Sequence, residues 1–448
     1  MMKQLIFNAH IVNEGRIMKG AVLIDGEYIE KVFSDGELVE VDSSTEKIDA
    51  EGLWLMPGVI DDQVHFREPG LTYKGDIFTE SRAAVAGGVT SYMEMPNTRP
   101  QTTTFELLEE KFALAASKSL ANYSFYMGAT NTNIRELTKV NPREVCGIKV
   151  FMGSSTGNML VNDIDALNRI FDESPTLIAT HCEDEEIIHR NLQYYKSMYS
   201  DSIGVEFHPL IRSEEACFKS SSYAVELAHK HNSRLHILHL STAAELVLFN
   251  ENTPLKDKLI TAEACVHHLW FSDRDYAALG NKIKWNPAIK KESDRQTLID
   301  AVNSNKIDVV ATDHAPHTWE EKQGNCYEAY SGGPLVQHSL TAMLQLAKQG
   351  YFTVEKVVEK MCHAPADLFR IENRGYIRPG YFADLVLVDP SLSQQVTTEN
   401  ILYKCGWSPF EGETFDSVVV RTFVNGQTVF NNGVFDENIR GKRLTFNV

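Results

Sequence analysis

The chain has 448 residues, 43% hydrophobic and 23% charged, with a formal net charge of −18, the profile of a soluble globular protein. No apolar run approaches the roughly 20 residues of a membrane span, and an acidic chain without a Lys/Arg cluster repels phosphate backbones and anionic lipid, so neither nucleic acid nor membrane is expected as a partner. Seven scattered cysteines with no Cys-x-x-Cys pair argue against a disulfide framework or a thiolate zinc site, and "MMKQLIFNAHIVNEG" lacks the build of a signal peptide, so the expected location is the cytoplasm.

Residues 1–56 read as short alternating strands, "LIFNAHIVN", "AVLIDGEYIEKVF" and "GLWLMPG", punctuated by Asp-Gly turns at 25–26 and 35–36. From residue 57 the texture changes. Eight short apolar stretches, "PGVIDDQVH", "VTSYMEMPN", "NYSFYMGAT", "GIKVFMG", "TLIATHCE", "RLHILHLST", "ITAEACVHH" and "DVVATDH", alternate with helical patterns such as "TFELLEEKFALAASKSL", "SSYAVELAHKHN" and "DRQTLIDAVNSN". Eight strand-helix units predict an α/β fold closed as a TIM-like (β/α)8 barrel over 57–370. An open doubly wound sheet would need a Gly-rich phosphate turn after its first strand, and "QVHFREPG" is not one. Residues 371–448 return to strand texture, with an Asn-Gly hairpin at 425–426, and both chain ends are expected to meet in one small β-sandwich domain.

Polar residues fall at the predicted strand ends: His65 after the first, Asn97 after the second, Lys149 in the fourth, His181 and His239 at the fifth and sixth, and Asp313 at the eighth. In a barrel these share one mouth, where barrel enzymes do their chemistry. Any one histidine there has a bland reading as a satisfied polar side chain, and Lys149 could simply pair with a carboxylate. Period-two alternation puts Asp61, Gln63 and His65 on one face of the first strand. The same alternation puts His236 and His239 on opposite faces, leaving His239 as the one that looks inward. Imidazoles and carboxylates together suit zinc or a similar borderline cation. A lysine buried beside cations loses its proton, and a neutral amine can take up carbon dioxide as a carbamate with two ligand oxygens.

In this order "DDQVHFREPG", "MEMPNTRP", "IKVFMG", "THCE", "LHILHLS", "KWNPAIK" and "ATDHAPH" resemble the dihydroorotases, cyclic amidohydrolases of pyrimidine biosynthesis. The resemblance implies an amidohydrolase barrel with a β-sandwich built from both ends, one or two Zn2+ per chain, a small-molecule substrate and a homodimer. Carried across by position, His65 and Asp313 are implied as ligands of a first metal, His181 and His239 of a second, and N6-carboxylated Lys149 as their bridge. Asp313 would also carry the proton, and Arg67, Asn97, Asn286 and His317 would hold the substrate. The chain departs from the family at Gln63, where histidine is usual: an amide oxygen is a harder, weaker zinc donor, and a retained first site of reduced affinity is expected. Hydantoinase or dihydropyrimidinase activity is the nearer alternative, and a non-catalytic scaffold the remoter one. The long segment 317–340, with Gly332 and Gly333, is expected to cover the mouth as a lid, or else to be an ordinary surface loop.

Overall fold

A computed structural model describes residues 3–153, 159–199 and 203–448. All eight predicted strands form: Val59–Val64, Val89–Glu94, Asn122–Phe125 (continued by Met127–Gly128), Ile148–Phe151, Ile178–His181, Leu235–Ile237, Ile260–Cys265 and Val309–Ala311. They pair in parallel in chain order. The ring closes between the eighth strand and the first through a parallel bridge of Val64 to His314 and a 2.7 Å bond from His65 N–H to His314 C=O. Burial on both faces explains the near-continuous apolar runs in the sequence.

The helices follow their amphipathic spacing. Ile164–Glu173 buries Leu167, Ile170 and Phe171, one stripe at i, i+3 and i+4. Each such side chain contributes roughly 1.5–3 kcal/mol by leaving water. Asp163 caps the helix by accepting from Ala166 N–H, and Ser213 does the same for Glu214–His231 at Ala216.

Both chain ends share one nine-stranded sheet. Trp54–Pro57 lies between Gln4–Asn13 and Leu385–Asp389, pairing parallel with the former and antiparallel with the latter. The Asn425-Gly426 turn has positive φ at both residues, the primed geometry that matches strand twist. A Cβ at Gly426 would meet Gly26 C=O at 2.1 Å, so the two turns foreseen near opposite chain ends are packed against each other. The final residues leave the sheet. Leu444 and Phe446 join Ile60, Met93, Tyr126, Leu177 and Phe369 in an apolar cluster, to which the barrel strands contribute residues that precede their mouth-end positions. All seven cysteines are unpaired and six are buried. No helix among the described residues is long and apolar enough to cross a membrane.

Candidate active site at the barrel mouth

Gln63, His65, Arg67, Asn97, Lys149, His181, His239, Asn286, Asp313 and His317 all line one cavity of about 70 Å³. Side chains as far apart in the chain as Gln63 and His317 thus share one cavity. Arg67, His239 and Asp313 have φ of 71°, 41° and 46°, left-handed conformations that cost of order 1–3 kcal/mol each in non-glycine residues and cluster where a side chain must be aimed.

The donors fall into two pairs. In the first, His65 Nδ1 lies 2.7 Å from Asn97 Oδ1, which can only accept, so the ring proton sits on Nδ1 and the Nε2 lone pair is free. That lone pair faces Asp313 Oδ1 at 3.1 Å. Two acceptors at this separation require a cation or a proton between them. In the second pair, His181 Nε2–H donates to Glu183 Oε2 at 2.9 Å, leaving Nδ1 bare and 3.0 Å from His239 Nε2. Arg212 clamps the same Glu183 oxygen. A carboxylate behind an imidazole is how metal-binding histidines are commonly oriented.

Burial pushes the pKa values of His65, His181 and His239 down, with the neighbouring His181 and Lys149 adding to the effect at His239. Three neutral imidazoles offer lone pairs rather than charge, so the donor set fits a zinc-type cation. Lys149 is 1% exposed and burial lowers its amine to about 7. Its Nζ lies 4.7 Å from the centre of the Phe151 ring, and among the described residues no carboxylate is within ion-pair distance of it. The paired-lysine alternative therefore fails.

Gln63 turns its amide nitrogen to Asp313 Oδ1 at 3.2 Å. Asp61, read from the sequence as sharing its face, does not reach the cavity; its carboxylate accepts from Thr312 O–H at 2.6 Å and ties the first strand to the eighth. The cause is a slip in register between Asp61 and Val64 against the second strand, which re-aims side chains and sends Asp62 inward. The expectation that His236 faces away is also corrected. Its strand ends at Ile237, so alternation does not extend to His239; His236 is fully buried and reaches across the ring to Asp62.

On the rim, Arg67 is 4% exposed, donates from Nε to Pro316 C=O at 3.0 Å, and has Nη2 3.1 Å from His317 Nε2. His317 Nδ1 and Lys74 both meet Glu321, at 3.1 and 2.9 Å. Asn286 Oδ1 accepts from His208 Nε2 at 3.0 Å. Segment 317–340 forms part of the cavity wall through Ser331 and Gly332. Gly332 has φ 122° and its Cβ would strike Ala315 C=O at 2.7 Å. Fully buried Lys322 fastens the segment by donating to the carbonyls of Lys284, Tyr330 and Gly332. Sequence reading missed Glu183 and Arg212. Glu183, two residues beyond His181 in "THCE", carried a signal; Arg212, distant in sequence, carried none.

An eight-stranded barrel whose strand ends converge on imidazole, amine and carboxylate donors defines a barrel protein with its chemistry at the C-terminal mouth. The amidohydrolase family model matches residues 54–429, and the chain belongs to that family. It is similar to the dihydroorotase of Halobacterium salinarum, 32% identical over 93% of this chain and 96% of that one. It is also similar to the dihydroorotase of Lactobacillus johnsonii, 30% identical over 96% and 100%. Among solved structures, the L-hydantoinase (dihydropyrimidinase) of Arthrobacter aurescens superposes with a TM-score of 0.91 at 25% identity, covering 97% of both chains. The dihydropyrimidinase of Brevibacillus agri superposes at 0.88 with 24% identity over the whole of both chains.

Proposed function

We propose that the chain is a dihydroorotase, catalysing reversible hydrolysis of the cyclic amide of dihydroorotate to N-carbamoyl-aspartate in pyrimidine biosynthesis. The single observation that carries the choice of substrate is Arg67, a buried guanidinium lining the same cavity as the two donor pairs. Dihydroorotate has a carboxylate for it to grip with two parallel hydrogen bonds; hydantoin and dihydrouracil have none. The names of the curated relatives agree.

His65 with Asp313, and His181 with His239, are the residues we assign to hold zinc, with Gln63 at the edge of the first pair. When bound, the metal supplies a water acidic near neutral pH and a Lewis acid for the scissile carbonyl. Lys149, its amine lowered by burial to about 7, is the group that would be carboxylated to bring negative charge to the donor pairs. Asp313 takes a proton from the attacking water and returns it to the departing ring nitrogen, for which it must lie within hydrogen-bond reach. Asn97 keeps His65 in the tautomer that leaves Nε2 bare. Arg67, held by Pro316 and His317, orients the ring through its carboxylate, with Asn286 lining the same cavity. We assign residues 1–56 and 371–448 to the β domain and 57–370 to the barrel.

The second reading, a hydantoinase or dihydropyrimidinase, is favoured by the solved structures of similar fold. Purified zinc-replete protein assayed with dihydroorotate, N-carbamoyl-aspartate, hydantoin and dihydrouracil separates the two. Turnover confined to the first two is expected; turnover of only the uncharged rings would overturn the proposal.

A further inference from the structure

We propose that Asp62, His236 and Glu263 hold a second kind of metal site, a zinc-type divalent cation enclosed inside the barrel beneath the mouth and separate from it. The three come from the first, sixth and seventh strands, and their ligand atoms lie within 4.8 Å of one another. None of them lines the mouth cavity. His236 precedes His239 along the chain, and its ring meets the edge of Phe369 in the apolar cluster at 5.8 Å. The site therefore sits between that cluster and the mouth donors.

The spacing suits a cation. His236 Nε2 is 3.2 Å from Asp62 Oδ2 and 3.7 Å from Glu263 Oε2, and ligands bound at 2.0–2.2 Å on a tetrahedron stand roughly 3.3–3.6 Å apart. The atoms that converge are also the ones the protein leaves unsatisfied. Among the described residues both Asp62 carboxylate oxygens, His236 Nε2 and Glu263 Oε2 lack a partner of hydrogen-bond geometry, their only close approach being the ion-pair contacts with one another, and all three residues are fully buried. Two enclosed carboxylates that share a single imidazole as their counter-charge are costly to desolvate; a divalent ion would cancel the charge of both.

The remaining groups at this place are already engaged. His236 Nδ1 meets Thr261 Oγ1 at 2.9 Å, which fixes the ring, and Glu263 Oε1 accepts from His239 N–H at 2.8 Å. The ion would thus fix Glu263, and Glu263 in turn holds the left-handed backbone of His239. It would act as a strut joining three strands below the catalytic donors, acquired as the chain folds and slow to exchange. Asp62 adjoins Gln63, so the strand that carries no histidine at 63 carries a carboxylate one position earlier, which meets His236 and does not line the mouth cavity.

The test counts metal in the full chain. A mouth-disabled variant, His65→Ala with His181→Ala, is dialysed against chelator and its zinc measured by mass spectrometry, with and without Asp62→Asn added. About one zinc per chain retained by the mouth-disabled protein and lost on adding Asp62→Asn is expected for a closed structural site. A mouth-disabled chain that holds no zinc overturns the proposal. Because Asp62→Asn could impair folding, zinc-edge anomalous diffraction from the unmutated protein provides the second readout. A peak within bonding distance of Asp62, His236 and Glu263 supports the site, and peaks confined to the mouth, or no peak at all, overturn it. Dihydroorotate turnover is scored separately, so failure of the inner site and failure of the proposed activity are distinguishable.

Discussion

Gln63 Nε2 stands 3.2 Å from Asp313 Oδ1, the same oxygen that His65 Nε2 faces at 3.1 Å. The amide supports Asp313 as a donor, so its oxygen is turned away, 3.8 Å from Cys265 Sγ. On the assignment proposed above, a first metal site here would be short of one strong ligand. Gln63→His restores an imidazole at this place and is expected to tighten first-site zinc binding by tenfold or more, about 1.4 kcal/mol. Competition with a chromogenic chelator measures it, and equal affinity in the two proteins would show that Gln63 already ligates as well as histidine does.

Arg67→Met removes the only arginine lining the cavity among the described residues. Losing one partner of a desolvated charge pair costs roughly 2–5 kcal/mol, so KM for dihydroorotate should rise by a factor of about 30 or more while folding is preserved. Arg67→Lys should recover little, because a point charge cannot reproduce the fork. Kinetics indistinguishable from the parent would remove the argument from substrate charge.

The barrel was legible because eight apolar stretches recur with helical spacers between them, and His65, Asn97, Lys149, His181, His239 and Asp313 stood out because each sits in or shortly after a strand; Arg67, Asn286 and His317, on the segments beyond, were reached only through the resemblance. What stayed hidden is where alternation breaks. The register slip between Asp61 and Val64 keeps Asp61 out of the cavity that Gln63 and His65 share as alternation predicts, and the strand ending at Ile237 frees His239 from the phase of His236. Supports brought in from remote segments, such as Arg212 behind Glu183 or Lys322 under Gly332, leave no local pattern either, since only the closed fold makes them neighbours.

Glu183 is fully buried. Burial alone would raise its carboxyl, but Arg212 and His181 outweigh it and hold it down at about 2. Glu183→Gln keeps an acceptor for His181 and removes the charge that balances Arg212. Breaking a buried pair from one side costs about 3–5 kcal/mol, and loss of the carboxylate behind a metal-binding histidine lowers metal affinity about 10–100-fold. Denaturant melts and zinc titration read the two effects separately. A destabilised variant with undiminished zinc affinity would assign Glu183 a structural role alone.

Glu321 gives the mouth a dependence on acid. Partial burial would raise its carboxyl, but the contacts with His317 and Lys74 outweigh this and hold it at about 2, below the 4.5 of a free glutamate. A carboxylate depressed on folding adds stability that is complete above the unfolded pKa and lost as pH falls through the folded one. The anchorage of segment 317–340 should therefore be intact above pH 4.5 and weaken progressively toward pH 2. Its partly exposed position screens the charge to some extent, so the effect should be local rather than global. Pepsin cleavage within the segment, compared at each pH between the parent and Glu321→Gln, measures it. The parent should converge on the variant's cleavage rate as acidity increases, and a constant ratio between the two across this range would show that Glu321 does not secure the segment through its charge.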